Sequence, residues 1–166
     1  MKRLLPLATV LAALVPASLV AKGPTTRITI TAVGGVRAVS VVDPIVLARF
    51  NVWDGPGTFS GPPNQPTEGT TGFIVDWRAG ASASRPSGLE EFAVEFFVRY
   101  QGEAPEQLAY TVVYARDPRS GDGFVYLPGK NDAQFRLNTQ SIYRGYEGQW
   151  LRASQEWQQA TKQLLP

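Results

Sequence analysis

Two runs of alternating residues, Phe92 to Tyr100 and Leu108 to Arg116, constrain this chain more than anything else in it. Phe92, Val94, Phe96, Val98 and Tyr100 fall on one side, with Glu95 and Arg99 on the other; Leu108, Tyr110, Val112 and Tyr114 share a side in the second run. A period of two turns successive side chains to opposite faces of a sheet, so each run reads as a long strand with one buried face. The short turn at Gly102 to Glu106 makes the two strands antiparallel neighbours.

The remaining segments extend this sheet. Thr26 to Val33 alternates, with Ile28 and Ile30 opposed to Arg27, Thr29 and Thr31; Gly34-Gly35 supplies the turn and Val36 to Val42 the return strand of a hairpin. Asp43-Pro44 offers an N-cap and a proline pre-set for the first helical position, which predicts a short helix as far as Phe50. Further strands are predicted at Phe73 to Arg78, Phe124 to Leu127 and Gln134 to Leu137, with a turn at Asp117 to Gly123. Trp150, Ala153, Trp157, Ala160 and Leu164 then repeat at three or four residues, the stripe of a C-terminal helix from about Gln149. The expected class is α+β: an antiparallel sheet of about six or seven strands, a short helix after the first hairpin, and a C-terminal helix packed on the sheet.

The N-terminus has another character. Met1-Lys2-Arg3 precedes an uncharged run to Val20 rich in Leu, Ala and Val, the pattern of a secretory signal peptide over residues 1–21. Cleavage is expected after Ala21, with Ala17 as the competing site and a retained anchor as the third outcome. Residues 22–166 then form a single globular domain, exported to the periplasm or the medium, which meets the membrane only through the transient leader. Removing Lys2 and Arg3 also removes the whole net charge of +2. The remainder is balanced, so no nucleic-acid partner is expected.

The chain contains neither His nor Cys. The usual near-neutral base, the thiolate nucleophile and the soft metal ligands are therefore missing. Gly55-Pro56-Gly57 lies in a Gly/Pro-rich loop at about 54–72, outside the strand-to-helix context of a nucleotide-binding turn. Asp54, Asp76, Glu90, Glu91 and Glu95 are the carboxylates left for acid–base chemistry, with no pattern that singles out a pair. Asp117, Ser120 and Asp122 lack the register of a calcium loop and read as a hairpin turn. No catalytic residue, cofactor or metal is expected. Aromatic side chains beside loops can stack on a sugar or clamp a peptide, and Trp53, Phe59, Trp77 and Tyr126 are the candidate binding residues.

The string Asp43-Pro44-Ile45-Val46-Leu47-Ala48-Arg49-Phe50-Asn51-Val52-Trp53, the run Phe124 to Gly129, and Arg136-Leu137-Asn138 with Ile142 and Arg144-Gly145 resemble recurrent segments of a group of uncharacterised exported bacterial proteins. The resemblance implies export and a single domain and carries no activity with it. The functional expectation is a non-enzymatic exported binding or interaction protein of the cell envelope, with a protein or glycan partner. The alternative is a small carboxylate-dependent hydrolase of envelope or extracellular polysaccharide.

Overall fold

The computed structural model describes residues 23–35, 37–58, 73–82, 84–100 and 104–165. The expected signal peptide, Phe59 and most of the 54–72 loop lie outside the described residues.

Six strands form one antiparallel sheet in the order β2-β1-β3-β4-β5-β6. They are β1 (Thr25–Ala32), β2 (Ala38–Val41), β3 (Glu90–Val98), β4 (Gln107–Arg116), β5 (Gly123–Tyr126) and β6 (Trp150–Arg152). Among the described residues three α-helices accompany them: α1 (Pro44–Arg49), α2 (Phe135–Ser141) and α3 (Gln155–Leu164). The fold is α+β, as the alternation predicts. One face of the sheet, carrying Ile28, Ile30, Val94, Phe96, Tyr110, Val112, Tyr114, Val125 and Leu151, is buried.

Leu47 of α1, Phe50, Phe73 and Trp157 of α3 belong to the same buried cluster. Trp157 meets Phe50 and Tyr114 edge-on, at 5.0 Å and 5.9 Å between ring centres. Complete burial of such a side chain contributes roughly 1.5–3 kcal/mol. The opposite face carries polar cross-strand rows such as Thr29, Glu95 and Thr111.

The two helices flanking the sheet start as their caps require. Asp43 Oδ1 accepts the Ile45 N–H at 2.8 Å at the head of α1, and Ser154 Oγ accepts the Trp157 N–H at 3.2 Å at the head of α3.

Four expectations need correction. Leu108 does not share the Tyr110 face: Phe97 pairs with Leu108 and Phe96 with Tyr110, so the bulge at Ala109 turns Leu108 to the outer face beside Phe97. Trp150 does not begin the C-terminal helix. Trp150–Arg152 is β6, with Leu151 on the buried face, and the Ser154 cap delays α3 to Gln155.

Gln134 to Leu137 is not a strand. Residues from Phe135 form α2, whose one fully buried side chain is the carboxamide of Asn138. Finally, Phe73 to Arg78 is not a regular strand. It makes a single bridge from Val75 to Ala153, and then Asp76 Oδ1 accepts the Arg78 N–H at 3.1 Å and turns the chain into a 3₁₀ turn at Trp77–Ala79.

Asn138 settles a problem that β4 poses. β5 pairs only with Val113 to Arg116, which leaves the first half of β4 without a strand on that side. The Asn138 side chain stands in for one. Its Oδ1 accepts the Thr111 N–H at 2.8 Å and its Nδ2 donates to the Thr111 carbonyl at 2.7 Å. A carboxamide carries the same donor and acceptor as a peptide group, so the ladder continues for one more residue.

Candidate functional site

Of the four aromatic residues singled out in the sequence, the three described ones, Trp53, Trp77 and Tyr126, do not share one surface. Trp53 is buried: its Nε1 donates to the Gly23 carbonyl at 2.6 Å and its ring leans on Tyr100 at 6.2 Å. Trp77 lies on the buried side of the sheet, stacked parallel on Phe73 at 5.9 Å and tilted against Tyr146 at 5.8 Å. Tyr126 is on the opposite face, against Trp150 at 5.2 Å, and its hydroxyl donates to Asp132 Oδ2 at 2.8 Å.

Around Trp77 the structure builds a centre that the sequence did not announce. Arg144 is 4% exposed, yet no carboxylate forms an ion pair with it among the described residues. Its Nη2 donates to the Val52 carbonyl at 2.6 Å, and its Nη1 donates to the carbonyls of Asp54 at 2.7 Å and Pro56 at 3.1 Å. The guanidinium carbon lies 4.4 Å from the Phe73 ring centre, 5.1 Å from Tyr110 and 5.4 Å from Trp77. Three carbonyls and three ring faces therefore compensate the buried charge, and a desolvated cation–π contact is worth about 2 kcal/mol.

Two glycines make this approach possible. A Cβ on Gly55, whose φ is +99°, would sit 2.5 Å from Trp77 Nε1, and one on Gly57 would collide with the Tyr143 carbonyl. The Gly-x-Gly that fails as a nucleotide motif thus lets the 52–57 backbone reach Arg144.

The centre is polar beyond what its hydrogen bonds satisfy. Arg144 Nε, Tyr110 Oη, Trp77 Nε1 and Glu147 Oε2 are buried and meet no partner at good hydrogen-bond geometry among the described residues, although the Arg144 guanidinium acts on the Tyr110 hydroxyl. Glu147 Oε1 accepts the Arg144 backbone N–H at 2.6 Å. Burial pulls the Arg144 guanidinium below its ordinary value, opposed by Tyr110, Glu147 and Asp54. Burial pushes the Tyr110 phenol up, while Arg144 works the other way.

The candidate carboxylates belong to different elements. Asp76 caps the 3₁₀ turn, Glu95 lies in the outer row between Thr29 and Thr111, and Asp54 contributes its carbonyl to Arg144. Hydrogen bonds from Arg27 and Thr26 hold the Glu106 carboxyl below its usual range, and the Arg119 and Ser120 backbone does the same for Asp117. Asp117 Oδ1 is occupied by the Arg119 N–H at 2.8 Å, as a hairpin turn requires.

An open groove of about 620 Å³ runs past Arg85, Glu90, Glu91, Phe92 and Arg116. Its charges are matched internally by the pairs Arg116–Glu90 at 2.7 Å and Arg85–Glu91. Among the described residues, no three acidic side chains gather as metal ligands, and no helix is long and apolar enough to cross a membrane. No family model, curated protein or solved structure matches the chain.

Proposed function

We propose that this chain is an exported, non-enzymatic binding protein of the bacterial cell envelope, which contacts a protein or glycan partner through the stretch from Asn51 to Gly72. The observation that carries this reading is the mounting of that stretch. Arg144 binds the carbonyls of Val52, Asp54 and Pro56 on one flank and stacks against Phe73 and Trp77 on the other. A long Gly/Pro-rich connection held at both ends by a rigid scaffold is the arrangement in which loops carry recognition.

The leader-like residues 1–21 and the resemblance to exported proteins support the compartment. Glu95 on the outer face of the sheet and Asp76 capping a turn favour binding over carboxylate hydrolysis, which needs two acids facing one bond.

Deleting 61–69 tests the proposal. The thermal midpoint should stay nearly unchanged while capture of envelope protein or glycan by the immobilised protein is lost. Equal capture by both forms would refute the assignment of that stretch. N-terminal sequencing of the protein from periplasm and medium tests the compartment separately.

A further inference from the structure

We infer that a second copy of this chain docks on the free edge of β2, antiparallel about a two-fold axis through Ser40, to make one sheet across two molecules. The register of β1 decides which peptide groups of β2 face outward. The Val33 N–H donates to the Glu91 carbonyl at 2.9 Å, continuing the β1–β3 register in which Thr31 faces Ala93. Hydrogen-bonded pairs alternate along an antiparallel ladder. Odd-numbered β1 residues after the Thr26 bulge therefore bond to β3, and Ile28 and Ile30 bond to β2 through Val41 and Val39. The peptide groups of Ala38, Ser40 and Val42 are left pointing away from the sheet, with no neighbouring strand on that side among the described residues.

A two-fold partner must satisfy those same groups, so only registers that match even residues with even residues are allowed. Centring on Ser40 pairs Ser40 with its own copy and Ala38 with the partner's Val42, each pair closing two hydrogen bonds. Val39 then opposes the partner's Val41, and Arg37 opposes the partner's Asp43. Shifting the axis to Val39 or Val41 loses the charge match at both ends.

The match at Ser40 is self-complementary in charge as well as hydrogen bonding. Arg37 and Asp43 are both exposed, and both fall at non-hydrogen-bonded positions, where facing side chains approach most closely. Asp43 caps α1 through Oδ1. Its Oδ2 is the atom a facing guanidinium would meet.

Apolar surface agrees with this geometry. Val42 is 62% exposed and in this register covers the partner's Ala38, itself exposed. Val33 in the β1–β2 turn and Ile45 at the head of α1 are also exposed. From Ala38 to Val42 the edge carries no Lys, Pro or charge, the residues that usually blunt an open strand. An interface this small operates as a weak association, on a scale of roughly micromolar or above. The inference does not involve residues 51–72 and stands independently of the binding proposal.

Sedimentation velocity of the purified protein over roughly a hundredfold range of concentration tests it by mass action. A monomer–dimer equilibrium is expected, with the Ala38, Ser40 and Val42 amides gaining hydrogen-exchange protection as the dimer fills. Ser40→Pro removes the central outward N–H without touching the β1 ladder, so it should abolish the dimer and leave the circular dichroism of the monomer intact. Arg37→Glu sets like charges face to face at both ends and should weaken association at least about tenfold, with the residual dimer no longer weakened by salt. A monomer at every concentration, or a dimer that persists in both variants, overturns the inference.

Discussion

The two edges of the sheet are finished in opposite ways. At β6, the segment from Ile74 to Ser82 runs alongside the strand: Ser154 N–H donates to the Ile74 carbonyl at 2.7 Å, Asp76 N–H to Arg152 at 2.9 Å and Ser82 N–H to Trp150 at 2.7 Å. The 3₁₀ turn at Trp77–Ala79 interrupts this cover, so it satisfies peptide groups without offering a new edge for further strands. At β2 nothing comparable lies outside the strand among the described residues. Four residues, with Arg37 before and Asp43 after, end the sheet by brevity and flanking charge. An edge can be closed by a segment of its own chain or left short enough to be selective about what joins it, and this molecule does both.

The cover on β6 depends on Arg144, because Phe73 and Trp77 at its head stack on that guanidinium. Arg144→Met leaves three carbonyls and a polar pocket without their donor. Urea denaturation should show a loss of about 3 kcal/mol or more, since a buried carbonyl left unsatisfied costs roughly 1–3 kcal/mol, with the Asp76 and Ser82 amides losing exchange protection before those of β1. Equal loss at both edges would break the comparison.

Asn138→Ala removes both bonds to the Thr111 peptide and should cost about 1–3 kcal/mol by the same assay. It should leave the β2 edge unaffected.

Tyr110→Phe is expected to matter only at high pH. The folded phenol titrates above its ordinary value because of burial, so the unfolded chain ionises first near pH 10. Stability is complete below that pH and falls as pH rises toward the folded value. Losing the buried hydroxyl should flatten the alkaline fall seen in a pH series of melts, with Tyr114, raised by burial too, supplying what remains. Ser40→Pro should shift monomer stability least, within about 0.5 kcal/mol, because its N–H takes no part in the β1 ladder. A larger drop in a melting curve at low concentration would show that the open edge is structurally committed after all.

What could be read in the chain beforehand follows the physics of repetition. β1, β3 and β4 were legible because alternation over eight to ten residues has no competing explanation. The cap at Asp43 and the turn at Asp117 were legible because each is made within a few residues.

Leu108 was misplaced because a bulge adds a residue without changing composition. Trp150 was misplaced because its spacing to Ala153 and Trp157 mimics a helical stripe, and a three-residue strand is too short to contradict it; the Ser154 cap was the available signal. α2 was unreadable as a helix because what it buries is an amide that serves a peptide far away in sequence.

Of the candidate binding residues, Trp77 lies at the Arg144 centre, between Phe73 and Tyr146. Arg144 was missed for a reason of kind. Its partners are backbone carbonyls, which every sequence has, and only the Gly55 and Gly57 spacing together with the run Tyr143-Arg144-Gly145-Tyr146 hinted that a loop had to come close.

That arginine also sets the order in which the chain can become a folded body. It lies 92 residues after Val52 and 90 after Asp54. A chain delivered from its N-terminus presents both carbonyls long before Arg144 arrives. β1 can pair with β2, and β3 with β4, through local closure, but the clamp across 52–56 and 73–77 closes only between segments that have already diffused together. Completion of the core is thereby tied to the arrival of Arg144, and a product truncated before it keeps its half-built sheet without its lock.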